Sequence, residues 1–265
     1  MIFCCTLSVL VKPVNIVRME PMNFKSLNVI NPIIRAATEA GFGSPTEIQS
    51  RIIPKIILKK DIFGCIENEG EKTASFVIPI IQQLKKNTVE YRNIRVLIIT
   101  ANTESAENID ESFNTFSKYL PISKLSILDD EPHGSQIYKM RKGKDILIAT
   151  PERLLELVQQ GHADFSKLET VIIKDISKLE NVDALEQTSK IMERLPLKVQ
   201  KLLFTKNLSR KVKEFAGRFL CNATEVRIPE EFSIRNKSKI SILSNNLDIH
   251  FDNIINPKES RSFAY

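Results

Sequence analysis

A lysine followed by a threonine, Lys72-Thr73, closes the segment IENEGEKT at residues 66–73, between an apolar run and a stretch with helical spacing. Loops that bind phosphate between a strand and a helix use glycines so that backbone N–H groups can close on the phosphates. They add a lysine for the β- and γ-phosphates and a Ser or Thr hydroxyl for Mg²⁺. The segment therefore has the position and two of the residue types of a phosphate site. Judged alone, a Lys-Thr pair at a helix start is also typical of an ordinary surface.

The two glutamates that flank Gly70 oppose phosphate binding. Glu69 and Glu71 each add a side chain and a negative charge where a phosphate group would lie. Two like charges about 5 Å apart repel by roughly 3 kcal/mol at an effective dielectric of about 20. The loss of glycine also removes the freedom to adopt positive φ, which adds strain if the loop must keep its shape. We therefore predict a loop of the right length but of weakened affinity for phosphate.

Short runs of apolar and β-branched residues recur along the chain and predict strands. The predicted strands are 61–65, 95–100, 125–128, 145–149, 170–173, 199–204 and 225–228. Helical spacing separates most of them, and further helices are predicted over 31–40 and 209–219. Strands that alternate with helices predict βαβ units, and hence an α/β fold with a mostly parallel sheet and helices on both faces.

Composition places few limits on function. The chain has 265 residues, 42% of them hydrophobic, and a formal net charge of +6, which permits nucleic-acid contact without requiring it. The four cysteines have neither metal-ligand spacing nor a disulfide pattern, so we expect no metal site of this kind and a reducing compartment. The apolar start, MIFCCTLSVLV, is too short to span a membrane. We interpret it as a disordered leader, with a targeting signal or a translation start at Met19 as alternatives.

The segment GFGSPTEIQ at residues 41–49 resembles the Q motif of DEAD-box RNA helicases, and Phe24, 17 residues before Gly41, matches the aromatic residue that this family places upstream. The resemblance implies the first, RecA-like domain of such a helicase, with a P-loop NTPase fold. It implies that Gln49 reads an adenine edge with its amide and that Phe24 stacks on the base. Motif order and spacing are kept over about residues 22–228.

The resemblance also assigns residues to the chemistry of ATP and Mg²⁺. Lys72 and Thr73 match the family positions for phosphate and for Mg²⁺. Lys174-Asp175-Ile176-Ser177 aligns with the DEAD sequence, in which the first acid supports the magnesium shell and the second helps to activate water. Lys174 replaces the first acid with a cation. Asp175 is then a weakened catalytic base, because its carboxylate is one methylene shorter and in-line attack depends on position. From the residues alone, a plain strand end followed by a polar loop remains the alternative.

Two of the family's RNA-contacting segments are altered. Where the family has PTRELA, residues 101–106 read ANTESA, with Thr103 in place of the arginine that contacts RNA. The usual glycine doublet aligns with Asp129-Asp130, whose charges would repel phosphates. Gln136 and Gly143 remain in step with the family.

Two later motifs are partly kept. Residues 150–153 match TPGR except for Glu152, so the resemblance implies that Thr150 and Arg153 contact an RNA phosphate. An ordinary arginine at the start of a helix is the alternative for Arg153. The SAT motif aligns with residues 205–207, which read TKN.

We expect three regions: a leader over 1–21, a RecA-like domain over 22–228, and a tail or the start of a missing second domain over 229–265. No segment similar to the HRxGRxxR motif of a second domain is present. Two hypotheses follow. One is a helicase-like fold that has lost catalysis and acts as a binding module, with a protein partner and weakened RNA binding. The other is a divergent RNA-dependent ATPase that uses ATP and Mg²⁺. Both are expected inside the cell, in the cytoplasm or the nucleus, and neither at a membrane.

The altered residues also predict a contact. In the fold implied by the resemblance, the phosphate loop and the end of the DEAD strand are neighbours. Acidic residues have been gained on one side, at Glu69 and Glu71, and a cation on the other, at Lys174. We predict that Lys174 pairs with one of the two glutamates, fills the magnesium position and holds the loop closed without nucleotide. The adenine end could survive this change, so weak binding of adenosine or AMP is conceivable.

Overall fold

The structure is a computed structural model that describes residues 23–86, 93–128, 132–180 and 182–227. Its strands are β1 (Ile62–Cys65), β2 (Val96–Ile99), β3 (Lys124–Ile127), β4 (Ile146–Ala149), β5 (Thr170–Ile173), β6 (Gln200–Thr205) and β7 (Thr224–Arg227). Its helices are α1 (Asn31–Glu39), α2 (Glu47–Ile57), α3 (Glu69–Lys86), α4 (Thr103–Phe116), α5 (His133–Arg141), α6 (Pro151–Gln159), α7 (Val182–Met192) and α8 (Arg210–Phe219). Every predicted strand is confirmed to within one residue at each end. The predicted leader, the tail and the Asp129-Asp130 pair lie outside the described residues.

The seven strands form one parallel sheet in the order β3-β4-β2-β5-β6-β1-β7. Crossovers between parallel strands are right-handed, so the direction of each step fixes the face on which its helix lies. Steps from β1 to β2 and from β2 to β3 run one way, which puts α3 and α4 on one face. The later steps run the other way, which puts α5 to α8 on the opposite face. The predicted α/β fold with helices on both faces is confirmed.

The central strands are buried on both sides because both faces carry helices. All four residues of each of β2, β4 and β5 are buried, and these strands consist of valine, leucine and isoleucine apart from one alanine and one threonine. A tight contact links β1 to β6: Gly64 lies beside Phe204, whose ring packs on Phe76 of α3 with ring centroids 5.6 Å apart. A glycine at this strand position makes room for the ring.

The helices before the sheet carry the Q-like segment. Thr46 caps α2: its Oγ1 accepts a hydrogen bond from Gln49 N (3.4 Å), and Gln49 Oε1 accepts one from Thr46 N (3.1 Å). This reciprocal pair satisfies two backbone donors that a helix start would otherwise leave open. The described part of the chain contains no helix long and apolar enough to cross a membrane.

Candidate functional site

A crevice opens at the carboxyl edge of the sheet, where neighbouring strands lead to helices on opposite faces. β1 continues into α3 on one face, whereas β5 and β6 continue into helices on the other. Ligands of open α/β sheets bind at such a reversal of direction. The segments that meet there are 66–68 after β1, 174–175 after β5 and 206–207 after β6.

The loop in the predicted phosphate segment is short, because helix α3 takes up its second half. α3 already begins at Glu69, so Glu69 and Glu71 lie in its first turn, where acidic side chains interact favourably with the helix N-terminus. Asn68 closes this turn, because its Oδ1 accepts a hydrogen bond from Glu71 N (3.1 Å) and its carbonyl accepts one from Lys72 N (3.0 Å). Amides that could bind a phosphate are thus partly satisfied by the chain itself.

Lys72 is fully buried in the crevice and lies between two carboxylates. Its Nζ donates to Glu69 Oε1 at 3.0 Å and to Asp175 Oδ2 at 3.5 Å. The structure therefore brings Lys72 and Asp175 together, as the sequence reasoning required. Thr73 follows Lys72 in the chain, but its Oγ1 donates to the Glu69 carbonyl at 2.8 Å.

The predicted pairing of Lys174 is confirmed, and Glu69 is its partner. Lys174 Nζ lies 3.6 Å from Glu69 Oε2, and Lys178 Nζ lies 3.6 Å from Glu69 Oε1. Together with Lys72, three ammonium groups surround one carboxylate. Burial raises the pKa of Glu69, but the three lysines outweigh burial and hold this pKa below its usual value.

Lys174 is itself almost fully buried, with 3% of its surface exposed. Burial lowers the pKa of Lys174, the charge of Glu69 opposes this shift, and the neighbouring charges of Lys72 and Lys178 reinforce it. The ammonium group is stabilised in the crevice chiefly by Glu69. The alternative partner, Glu71, forms no ion pair with another described residue, and burial raises its pKa.

Asp175 has both carboxylate oxygens engaged. Oδ1 accepts hydrogen bonds from Ser177 Oγ (2.6 Å) and from Lys206 N (3.3 Å), while Oδ2 faces Lys72. The side chain is 4% exposed. A base that activates water needs a free oxygen within reach of that water. In this arrangement Asp175 serves as an internal acceptor.

The side chains in the crevice do not fit Mg²⁺. This ion takes oxygen ligands in near-octahedral geometry and usually keeps several waters. Here the carboxylates of Glu69 and Asp175 are bound to ammonium groups, and the charge of Lys174 repels a divalent cation at close range. Among the residues that the structure describes, no group of three or more His, Cys, Asp or Glu is arranged to hold a metal ion.

Gln49, the residue predicted to read adenine, has one donor that no described residue uses. Gln49 is fully buried, its Oε1 is used in the cap of α2, and its Nε2 has no hydrogen-bond partner among the described residues. A buried donor without a partner is costly, so this amide is a candidate for a ligand atom. Phe24 is 3% exposed, so its ring would have to move before it could stack on a base.

The two residues assigned to RNA lie at the start of α6. Thr150 precedes this helix and is 4% exposed, and Arg153 is 8% exposed. Arg153 Nη1 donates to Glu156 Oε2 at 3.0 Å, which is the contact of an ordinary helix-start arginine. Contact with an RNA phosphate would require both side chains to come to the surface.

The sequence did not predict some residues of the site. Lys178 reaches Glu69 only because a single 3-10 turn, Ile176–Leu179, follows Asp175. Asn68 and Ser177 act through local hydrogen bonds to neighbouring groups. The cue available in the sequence is the preference of Asn and Ser for such bonds near helix starts.

The first strand of this parallel sheet leads through a short loop to a helix that carries Lys-Thr, and a carboxylate, Asp175, follows β5, with β6 between β5 and the first strand. This arrangement defines the P-loop class of RecA-like domains. The chain belongs to the DEAD/DEAH box helicase family, because the model of that family matches residues 46–215, which is more than half of the chain.

The known proteins that resemble the chain agree with this assignment. An ATP-dependent RNA helicase DeaD of Buchnera aphidicola is 28% identical over 215 residues, which are 81% of this chain and 35% of that protein. A DEAD box protein of Methanococcus jannaschii has a similar fold, with a TM-score of 0.73 and 21% identity over 84% of this chain and 64% of that one. Dbp5 of Saccharomyces cerevisiae, solved bound to Gle1, has a TM-score of 0.70 and 18% identity over 79% of this chain and 53% of that one. The chain spans about a third of the length of the DeaD relative.

Proposed function

We propose that this member of the DEAD/DEAH box helicase family has lost ATP hydrolysis and acts as a binding module whose phosphate site is closed by its own side chains. The observation that carries the proposal is the convergence of Lys72, Lys174 and Lys178 on the Glu69 carboxylate. The Glu69 carboxylate binds the ammonium groups that would otherwise bind a nucleotide phosphate. A cation of the chain, Lys174, lies in the crevice where hydrolysis would need Mg²⁺ and a free base.

The second candidate is a divergent RNA-dependent ATPase. Here Gln49 and Phe24 would hold adenine, Lys72 and Thr73 would hold phosphate and Mg²⁺, and Asp175 would be a weak base. The buried Gln49 Nε2, which no described residue engages, favours some adenine binding. For hydrolysis, Lys174 and Glu69 would have to leave their present positions.

Calorimetry with ATP and Mg²⁺ separates the two candidates. We expect no heat of binding from the wild-type domain or from Lys72→Ala. Binding by the wild type that Lys72→Ala abolishes would contradict the closed site and support the ATPase. Lys174→Asp, which restores an acidic side chain, is the matched variant. Gain of Mg²⁺-dependent binding in Lys174→Asp alone would show that the wild-type lysine closes the site.

Adenosine tests the adenine end by itself because it carries no phosphate. We expect weak binding that shifts the side-chain amide resonance of Gln49 in ¹⁵N-labelled protein. An unchanged Gln49 resonance at high adenosine concentration would remove nucleoside binding from the proposal.

The partners follow from the fold and the relatives. Family members named as RNA helicases and the Dbp5–Gle1 structure support RNA and a protein as candidate partners. The burial of Thr150 and Arg153 and the charges of Asp129-Asp130 weaken the case for RNA. We propose that a protein partner is the more important of the two, inside the cell. Retained ATP-stimulated RNA binding, measured with a labelled single-stranded RNA, would instead favour the ATPase.

A further inference from the structure

The strand β3 forms one edge of the described sheet and has a partner on one side only. The carbonyls of Ser123 and Ile127 accept hydrogen bonds from β4 and its end. Backbone groups alternate in direction along a parallel strand, so the N–H and C=O groups of Lys124 and Ser126 point away from β4. Among the residues that the structure describes, these groups have no hydrogen-bond partner. They could pair with another strand.

A groove of about 770 Å³ runs along this open edge. One wall is acidic and belongs to α4, where Glu107 and Glu111 are exposed and have no ion-pair partner in the described parts of the chain. Asp110, between them, is already paired with Lys124. Two negative charges thus remain uncompensated on this wall.

The other wall is basic. Lys142 and Lys144, in the segment that joins α5 to β4, line the groove and form no ion pair with a described residue. Lys142 Nζ lies 4.5 Å from the centroid of the Tyr138 ring, which is 63% exposed on α5. Exposed tyrosines stabilised in this way are frequent anchors of protein interfaces.

The two walls lie on opposite sides of the edge, because α4 and α5 belong to opposite faces of the sheet. Side chains of an added strand also alternate between the two faces. A strand with basic residues on one face and acidic residues on the other would therefore meet complementary charge on both. An RNA strand fits less well, since its phosphates would face Glu107 and Glu111.

We propose that the open edge of β3 binds an extended segment of a partner protein as an added strand. The segment places basic side chains against Glu107 and Glu111 and acidic ones against Lys142 and Lys144. Main-chain hydrogen bonds to Lys124 and Ser126 supply affinity, and the two charged walls supply specificity. Four strands separate β3 from β1, the strand that leads into the crevice, although Glu111 also lines a cavity that reaches Glu69 and Lys174. The proposal does not rest on nucleotide binding.

The probe is a short fluorescein-labelled peptide in which arginine and glutamate alternate, measured by fluorescence anisotropy at low salt. Two isomers of this peptide carry N-methyl groups, one on every arginine amide and the other on every glutamate amide. A strand directs alternate amides to its neighbour, so only one isomer should bind. Tolerance of the arginine-methylated isomer would indicate parallel addition, and tolerance of the other would indicate antiparallel addition. Equal binding of both isomers, or no binding of the parent peptide, would overturn the proposal.

Ser126→Pro tests the edge from the side of the protein. Proline removes the outward N–H group and is tolerated on edge strands, and the loss of a ladder bond should weaken peptide binding about five- to thirtyfold. Circular dichroism and urea unfolding establish whether the variant folds. If Ser126→Pro does not fold, the comparison of the two methylated peptides on the wild-type protein tests the proposal.

The double variant Glu107→Lys plus Glu111→Lys tests the acidic wall. It should weaken binding of the alternating peptide about five- to tenfold and strengthen binding of a peptide that alternates glutamate with threonine. Glu186→Lys, a surface change on α7 that makes one of the same charge reversals, is the control and should leave binding unchanged. Equal loss in the control would show a non-specific charge effect and contradict the proposal. Binding of a labelled oligouridylate without binding of the peptide would also contradict the proposal. A dimer detected by sedimentation that does not bind the peptide would contradict it as well.

Discussion

At the scale of single residues, Glu69 is the common partner of the ion pairs in the crevice. Its carboxylate is shared by Lys72, Lys174 and Lys178, whereas Lys72 also contacts Asp175. Three ammonium groups and two carboxylates leave one net positive charge, with Lys72, Lys174 and Asp175 buried and Glu69 and Lys178 partly exposed. Breaking a buried ion pair by removing one partner is costly, because the remaining charge stays buried without compensation.

The first prediction concerns Glu69→Gln. The change should lower the free energy of unfolding by about 1–3 kcal/mol, less than for a fully buried pair because the Glu69 side chain is 42% exposed. Urea unfolding measures the effect. Glu67→Gln, a change of the same chemistry at an exposed position two residues earlier, should cost less than about 0.5 kcal/mol.

A double variant identifies the charge responsible. Lys174→Met removes the buried ammonium group at similar volume, and it should be neutral or stabilising in the Glu69→Gln background. Equal destabilisation by Glu69→Gln with lysine and with methionine at position 174 would contradict the ion-pair explanation.

The second prediction is the pH dependence of the same effect. The lowered pKa of Glu69 means that its charged form is stabilised in the folded protein. This contribution is present above the unfolded pKa, near 4.5, and is lost as the pH falls through the lower folded pKa. The stability difference between wild type and Glu69→Gln should therefore be constant at neutral pH and shrink below about pH 4.5. Urea titrations at a series of pH values measure it; a difference that grows toward acid pH would contradict the assignment.

At the scale of elements, the contact of β1 with β6 sets how closely α3 approaches the sheet. Gly64 and Phe204 are register partners, and a Cβ atom on residue 64 would lie 2.7 Å from Phe204 Cδ1 and 2.9 Å from Cε1. Phe204 cannot easily move, because it is fully buried and packs on Phe76. β1 leads directly into the crevice, so this contact also supports the position of Lys72.

The third prediction follows from this contact. Gly64→Ala should lower the free energy of unfolding by about 1–3 kcal/mol through overpacking. Phe204→Leu should relieve the clash, so the cost of Gly64→Ala should be smaller in that background. Gly217→Ala, in an open position of α8, is the control and should stabilise by about 1 kcal/mol. Thermal or urea unfolding of the wild type and the four variants tests these values, and additive effects of Gly64→Ala and Phe204→Leu would argue against the contact.

At the scale of the whole molecule, the sheet has a protected centre and two edges. β2 and β5 pair on both sides and lie beneath helices on both faces, whereas β3 and β7 each pair on one side only within the described residues. Backbone hydrogen bonds in the centre open only when much of the domain unfolds. The edges can open locally.

The fourth prediction is a pattern of amide hydrogen exchange. Amides of β2 and β5 should exchange slowest, while the outward amides of Lys124 and Ser126 should exchange early. NMR-detected exchange resolves the individual amides. Protection of Ser126 as strong as that of Ile98 would mean that the open edge is covered, which would also weaken the proposed docking of a strand. The β4-bonded amide of Leu125 is an internal control on the same strand.

The strands and helices follow from local patterns, which is why they could be predicted. β-branched runs and helical spacing are properties of neighbouring residues, and the resulting strand bounds agree to within one residue at each end. The meeting of Lys174 with Glu69 was also predictable, because carboxyl ends of parallel strands share one edge and the family resemblance placed both residues there.

Other features depended on packing. The family resemblance assigned Phe24 to stacking on an adenine base, and packing places its ring in the interior. The sequence also left open whether Glu69 or Glu71 pairs with Lys174. The start of α3 at Glu69 decides this, because it directs Glu69 toward the lysines.

The sequence by itself determined the alternation of elements, the family and the altered charges of the phosphate loop, since each is written in residue types at fixed spacing. Only the tertiary structure decided that Glu69 is shared by three lysines, that Asp175 has both oxygens engaged, and that β3 keeps an open edge between two charged walls. These features join residues far apart in the chain, and their distances depend on side-chain direction and strand order, which a linear pattern does not contain.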